Sequence, residues 1–225
     1  MAMNGCDSDD VARRLIDGAH SAPGPAVVIA LLCEQLVAHG IPLWRSSVFV
    51  RTLHPQVMGR RLSWQADAGV SIGEAGYERL DDDVYRKSPV VHVYRTGIPL
   101  RRRLADPDCP VDFAILGEFR AEGITDYLAS PLLFTNGEIH AATWTTLRPE
   151  GFTDAQIAGI DTTVAALARI TEVYAVRRTA SNLLDACVGH QAGERIPSIE
   201  ACDTTARGIR ITERTTVSTR LRRSS

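Results

Sequence analysis

One stretch constrains the fold of this chain more than any other. Residues 127–134 are apolar and suited to extended backbone, Asn136-Gly137 follows as a turn dipeptide, and residues 138–146 return as a second run of strand character. Asn-Gly accepts the positive φ angles of a two-residue type I′ turn, so this pattern predicts a β-hairpin. Directly after it, Gly151-Phe152-Thr153-Asp154-Ala155-Gln156 predicts a helix start, with Thr153 as N-cap and Gln156 at the capping-box position. Ile157, Ile160, Val164, Leu167, Ile170 and Val173/Tyr174 then recur at spacings of three and four. That spacing predicts a long helix running on through Leu183-Leu184 to Val188, with an apolar stripe suited to a sheet or to a second copy of itself.

The remaining elements follow from punctuation. Residues 9–18 suit a short helix, ended by Ser21-Ala22-Pro23-Gly24-Pro25. Pro25 fits the first turn of the next helix, where a missing N–H costs nothing, and Val28, Leu31, Leu32, Gln35, Leu36 and His39 keep helical spacing up to Gly40. Val48-Phe49-Val50 and Leu53 predict a strand over 44–53, with 60–65 around Leu62 and Trp64 as its partner. Residues 67–83, glycine-rich and then acidic at Asp81-Asp82-Asp83, are expected to be a loop. Ser88-Pro89 opens a helix that Gly97 closes, 99–104 is extended, and 112–122 is a helix ended by Gly123.

Past Pro197 the chain turns to Thr, Ser and Arg with isolated apolar residues, too little to offset ordering entropy, so disorder is expected there. The organisation read this way is an N-terminal segment over 1–24, a folded domain over 25–152, a helix and linker over 153–196, and a tail over 197–225. The net charge of −2 argues against a nucleic-acid partner, which needs a surplus of phosphate-neutralising cations. The five cysteines (6, 33, 109, 187, 202) are scattered with no C-x-x-C, as in a reducing compartment. No apolar run reaches membrane-spanning length, and the acidic start does not resemble a signal peptide, so a cytoplasmic protein without membrane contact is expected.

No phosphate-cradling glycine loop, nucleophile elbow or H-E-x-x-H is present. The six histidines (20, 39, 54, 92, 140, 190) are isolated, and three consecutive carboxylates at 81–83 point in different directions, so no metal site is expected. On an extended 99–104, Arg101 and Arg103 share a face and Arg102 takes the other, an arrangement open to an anion or to ion pairs. Trp64, Tyr127, Phe134 and Trp144 are strand aromatics, and packing outweighs ligand stacking for each.

The order of elements carries a resemblance. Gly40-Ile41-Pro42-Leu43-Trp44-Arg45, Leu53-His54-Pro55, Trp64, Ser88-Pro89, Arg101 to Leu104, Asp112-Phe113, the run from Glu122 to Ala129, and Gly151-Phe152-Thr153-Asp154 resemble, in order, the N-terminal GAF-like sensory region of bacterial class III adenylate/guanylate cyclases. The likeness extends through Leu183-Leu184-Asp185 and Val188 to Arg195, which resemble that family's linker. It implies an α+β, GAF-like antiparallel sheet flanked by helices, with a long C-terminal signalling helix. It also implies a sensory or regulatory role, an unknown small-molecule ligand and a homodimer through the last helix; a non-catalytic chain with no resident cofactor is expected from the residues that are present. The alternatives are a dimerisation partner of a full-length cyclase, or a cyclase by family label alone. Trp64, Arg101, Arg103, Tyr127 and Trp144 are the ligand-binding candidates. Nothing after Ile196 resembles the family's catalytic domain or its metal-binding aspartates. The expectation is therefore of a chain cut before that domain, by a frameshift or early stop, with no catalytic residues.

Overall fold

The computed structural model describes residues 5–51, 59–75, 83–188 and 211–213. Its sheet is built from β1 (Arg45–Arg51), β2 (Gly59–Gln65), β3 (Gly69–Ala75), β4 (Leu100–Arg102), β5 (Asp126–Leu133) and β6 (Ile139–Thr146). All pair antiparallel, in the order β4-β5-β6-β1-β2-β3. The first strand and the hairpin strand β6 are thus central neighbours, joined in register at Ser46↔Trp144 and Val48↔Ala142. The helices are α1 (Gly5–Ser21), α2 (Pro25–Ala38), α3 (Asp83–Arg86), α4 (Pro89–Thr96), α5 (Ala114–Ala121) and α6 (Asp154–Val188).

Side chains alternate across a strand, so each register row assigns residues to one face or the other. Val48, Leu62, Trp64, Val70, Leu128 and Trp144 occupy one face and pack with Val11 and Leu15 of α1, Leu32 and Leu36 of α2, and Ile160 and Leu167 of α6. Tyr127, Ala129, Ala141 and Leu100 lie on the other face, with Val90 and Val93 of α4 and Leu116 of α5. The outcome is a helical layer of α1, α2 and α6 on one side and a partial cover of α4 and α5 on the other.

The local signals that fix helix ends hold. Val91 N–H donates to Ser88 Oγ at 3.3 Å, Pro89 occupies the first turn, and Gly97 closes α4 at φ 65°. Thr153 and Gln156 cap reciprocally: Gln156 N–H donates to Thr153 Oγ at 3.2 Å and Thr153 N–H to Gln156 Oε1 at 3.0 Å.

Three expectations are corrected. Residues 69–75 form a strand rather than part of a loop, pairing with β2 from Gly59↔Ala75 to Gln65↔Gly69. Val70 is fully buried, and Ile72 packs against the same core; the glycines and Ser71 fall on the opposite face. Asp83 opens α3 and so also leaves that expected loop. The hairpin turn is not type I′, because, of its two central residues, Gly137, at φ 84°, is left-handed and Asn136 is not. Gly137 N–H donates to Phe134 O at 3.1 Å and Phe134 N–H to Glu138 O at 3.0 Å, which is a three-residue loop closed by a left-handed glycine. In the tail, Ile211–Glu213 form a short strand, β7, parallel to Val70–Ile72 of β3. The β-branched Ile211 and Thr212 suit extended backbone, and the edge of β3 offers unpaired main-chain groups. His54, Asp81, Asp82, the linker past Val188 and the rest of the tail lie outside the described residues.

At 35 residues, α6 is about 50 Å long. Its predicted stripe docks on its own domain: Ile160 and Leu167 are fully buried, and Ile157, Val164, Ile170 and Tyr174 pack at the margin. Polar contacts fasten the same helix to the hairpin tip. Glu172 accepts from Thr135 N–H at 2.9 Å and from the Thr135 hydroxyl, and Arg169 donates to Leu133 O and Glu172. Val173, Val176 and Leu183 remain 48%, 63% and 60% exposed.

Candidate functional site

The structure divides the five candidate residues. Trp64 and Trp144 lie in the core beneath α1, α2 and α6, and Tyr127 is buried on the opposite face against Phe119 at a ring separation of 5.6 Å. Burial pushes the Tyr127 phenol above its ordinary value. Arg103 falls just past β4 and donates to Glu150 O at 3.1 Å.

Arg101 joins β4, β5 and the start of α6. Its guanidinium donates to Asp126 Oδ2 at 2.7 Å and to Phe152 O at 2.6 Å, while Phe152 N–H donates to the same Asp126 oxygen at 3.0 Å. Asp126 is wholly buried, and Asp154, at the first turn of α6, stands 3.5 Å from Arg101. A buried carboxylate held by a guanidinium and a backbone N–H is compensated for its desolvation, so this group fixes where the last helix begins. Gly151 is part of it: a Cβ there would meet Asp126 Oδ2 at 2.6 Å, and its φ is 70°.

The centre of the α4/α5 face has a different character. Thr143, Ser47, Ser63 and Ser71 stand in one register row across four strands, β6-β1-β2-β3. Ser47 and Ser63 hydrogen-bond through their hydroxyls, and Ser71 Oγ donates to Ser63 O at 3.5 Å. The next row is Ala141, Phe49, Arg61 and Gly73, where the Arg61 guanidinium lies 3.9 Å from the position of a Gly73 Cβ. Ser47 and Thr143 are buried and Ser63 and Ser71 half-buried; short hydroxyl-bearing residues offer donors and acceptors, which suits a floor for a polar ligand.

The floor is bordered by aromatic side chains. Phe49 and Tyr94 pack at the margin of the α4/α5 cluster, and Arg51 lies over the Tyr94 ring, 5.9 Å from its centroid. Burial raises the Tyr94 and Tyr85 phenols, and Arg51 opposes this for both. The Arg51 main chain reaches the opposite face, where its N–H donates to His140 Nδ1 at 3.1 Å. His140 is buried against Phe134 at a ring separation of 3.9 Å, with Nε2 3.6 Å from Glu138 Oε2. Burial holds its pKa below the ordinary histidine value, with Glu138 opposing. Arg51 therefore touches both the α4/α5 face and the group that packs beside α6.

None of the hydroxyl row was a sequence candidate. Isolated serines at 47, 63 and 71 carry no signal until strand register aligns them. Among the described residues no three His, Cys, Asp or Glu side chains gather as a metal site, and no helix is long and apolar enough to cross a membrane.

No protein-family model matches the sequence, and no characterised protein is detectably similar to it in sequence. Solved structures do resemble it in three dimensions. The GAF domain of a phosphoenolpyruvate-protein phosphotransferase from Coxiella burnetii superposes with a TM-score of 0.53 at 14% identity, over 80% of this chain and 99% of that one. A phycoerythrobilin-bound GAF domain from a cyanobacterial phytochrome gives 0.52 at 12% identity, over 78% and 98%. The A. aeolicus nlh2 GAF domain, in an inactive state, gives 0.50 at 12% identity, over 75% and 97%. At these identities the likeness is one of fold. The chain has an α+β, GAF-like fold: an antiparallel sheet between helices, with a long last helix.

Proposed function

We propose that this chain is a sensory or regulatory domain without catalytic chemistry of its own, which holds a small molecule on the α4/α5 face and reports its presence through α6. The observation that carries this reading is the contrast between the two faces. One is filled by α1, α2 and α6; the other has a floor of short hydroxyl residues at Ser47, Ser63, Ser71 and Thr143 beside Phe49 and Tyr94. A bilin-bound GAF domain of the same fold supports a small-molecule occupant. Signalling follows as a population shift: an occupant that prefers one arrangement of β1, β4 and α6 favours it in proportion to that preference. Arg101–Asp126–Phe152 and Arg51–His140 are the contacts through which the two faces communicate.

A homodimer through α6 is part of the proposal, on a different stripe from the one first expected. Val173, Val176, Ala180 and Leu183 are exposed at spacings of three, four and three, the seam of a two-stranded coiled coil. The sequence motifs from Gly40 to Arg195 favour a cyclase-type output for such a helix.

A thermal-shift screen of nucleotides, haem, flavins and small metabolites tests the reading, run in parallel on the wild type and on Ser63→Trp, whose indole fills the floor. A compound that stabilises the wild type but not the blocked variant supports it. Equal shifts in both, or none in either, refute it.

A further inference from the structure

Several arginines near the α4/α5 face are matched to partners. Arg45 pairs with Glu122 at 2.9 Å, Arg60 with Glu74 at 2.6 Å and Arg102 with Asp112 at 2.5 Å. Arg120 donates to the main-chain oxygens of Leu104, Asp106 and Cys109. Arg51 is exposed and has no carboxylate partner among the described residues; its guanidinium rests over Tyr94, and its charge acts on Tyr85, Tyr94 and His140. In register it stands opposite Gly59, one pleat beyond the Phe49↔Arg61 row. Side chains on alternate residues share a face, so Arg51 and Arg61 border the same end of the hydroxyl floor.

A guanidinium placed over an aromatic ring, at the end of a face that carries hydroxyl groups two register rows away, is matched by an oxyanion on a hydrogen-bonding body. We propose that the occupant of this face is a small anion, its carboxylate or phosphate paired with Arg51 and its polar body lying over the Phe49, Arg61 and Gly73 row toward Ser63. This rests on the ligand-face reading above and specifies its chemical class. The anion also bears on signalling. Arg51 is the residue whose N–H holds His140, so drawing its side chain toward a ligand acts on the strand end that packs beside the α6-tethered hairpin tip.

The test uses the full chain, Arg51→Gln and Arg51→Lys, titrated calorimetrically with matched pairs: gallate against gallamide, and ribose phosphate against ribose. The expected result is binding of one anion to the wild type, with its neutral partner about tenfold weaker or more, as befits a lost hydrogen bond to a charged group. Arg51→Gln is expected to lose that discrimination and Arg51→Lys to keep part of it. Which pair binds separates carboxylate from phosphate. Equal binding of charged and neutral partners, unchanged in Arg51→Gln, overturns the anion assignment and leaves the ligand face standing. No binding by any of the four compounds also overturns it, and the Ser63→Trp comparison then decides separately whether the face holds a ligand. Unfolding curves of the variants without ligand establish that each remains folded.

Discussion

Gly151 gives the sharpest test of how α6 is anchored, because Gly137 supplies its control. Both glycines are left-handed, at φ 70° and 84°. A Cβ added at Gly137 meets nothing within 4 Å, whereas at Gly151 it meets Asp126 Oδ2 at 2.6 Å and Asp126 Cβ at 3.1 Å. Alanine in left-handed backbone costs about 1–2 kcal/mol, and this applies to both positions. The contact at Gly151 adds an overpacking cost of about 1–3 kcal/mol. Asp126 cannot withdraw freely, since the same Oδ2 holds Arg101 at 2.7 Å and Phe152 N–H at 3.0 Å. Gly151→Ala is therefore expected to lose about 2 kcal/mol more than Gly137→Ala. Urea unfolding followed by the fluorescence of Trp64 and Trp144, both buried against the helical layer, measures the difference. Equal losses in the two variants would show that Asp126 is not fixed there, and the account of the α6 anchor would fail.

Other outcomes are open to measurement. Leu167→Asp, at a fully buried position between α6 and the sheet, is expected to cost several kcal/mol by stranding a charge away from water, and an unchanged melting curve would contradict the docking of that stripe. Burial holds the folded-state pKa of His140 below its ordinary 6.5, so the fold favours the neutral ring. Its contribution to stability is present above the unfolded pKa and is lost as pH falls below it. Melting temperature should drop more between pH 7 and pH 5 in the wild type than in His140→Gln; equal slopes would exclude the histidine as the cause. Val176→Asp with Leu183→Asp should leave stability nearly unchanged and weaken self-association in sedimentation, because both side chains are exposed. Association unaffected by the pair would remove the proposed seam.

Elements whose signals are local were legible from the sequence. Ser88-Pro89, Gly97 and the Thr153–Gln156 box each act within a single turn, and all are where the residue chemistry puts them. β3 was hidden because its two apolar residues, Val70 and Ile72, are separated by Ser71 and flanked by glycines that face the other way, a pattern that reads as loop until β2 pairs with it. The turn was mistyped for a related reason: Asn-Gly satisfies two geometries, and the pairing of Phe134 with Glu138 selects the longer one.

Site residues were harder still. Arg101 was open to an anion or to an ion pair, and its partner could not be named, because Asp126 is twenty-five positions away and becomes adjacent only when β4 joins β5. The hydroxyl row exists only in register. Stripe and partner were separable only after packing, since Leu167 and Val176 lie on one helix and meet different surroundings.

The central claim, that occupancy of the α4/α5 face is felt by α6, is most directly measured by hydrogen–deuterium exchange of the full chain. The comparison is with and without the compound whose stabilisation Ser63→Trp abolishes. The account predicts altered protection at β1, β2 and α4, where the compound lies, and also along α6 from Asp154 to Thr171, on the far side of the sheet. Altered protection confined to the contact strands and α4, with α6 unchanged, would contradict it.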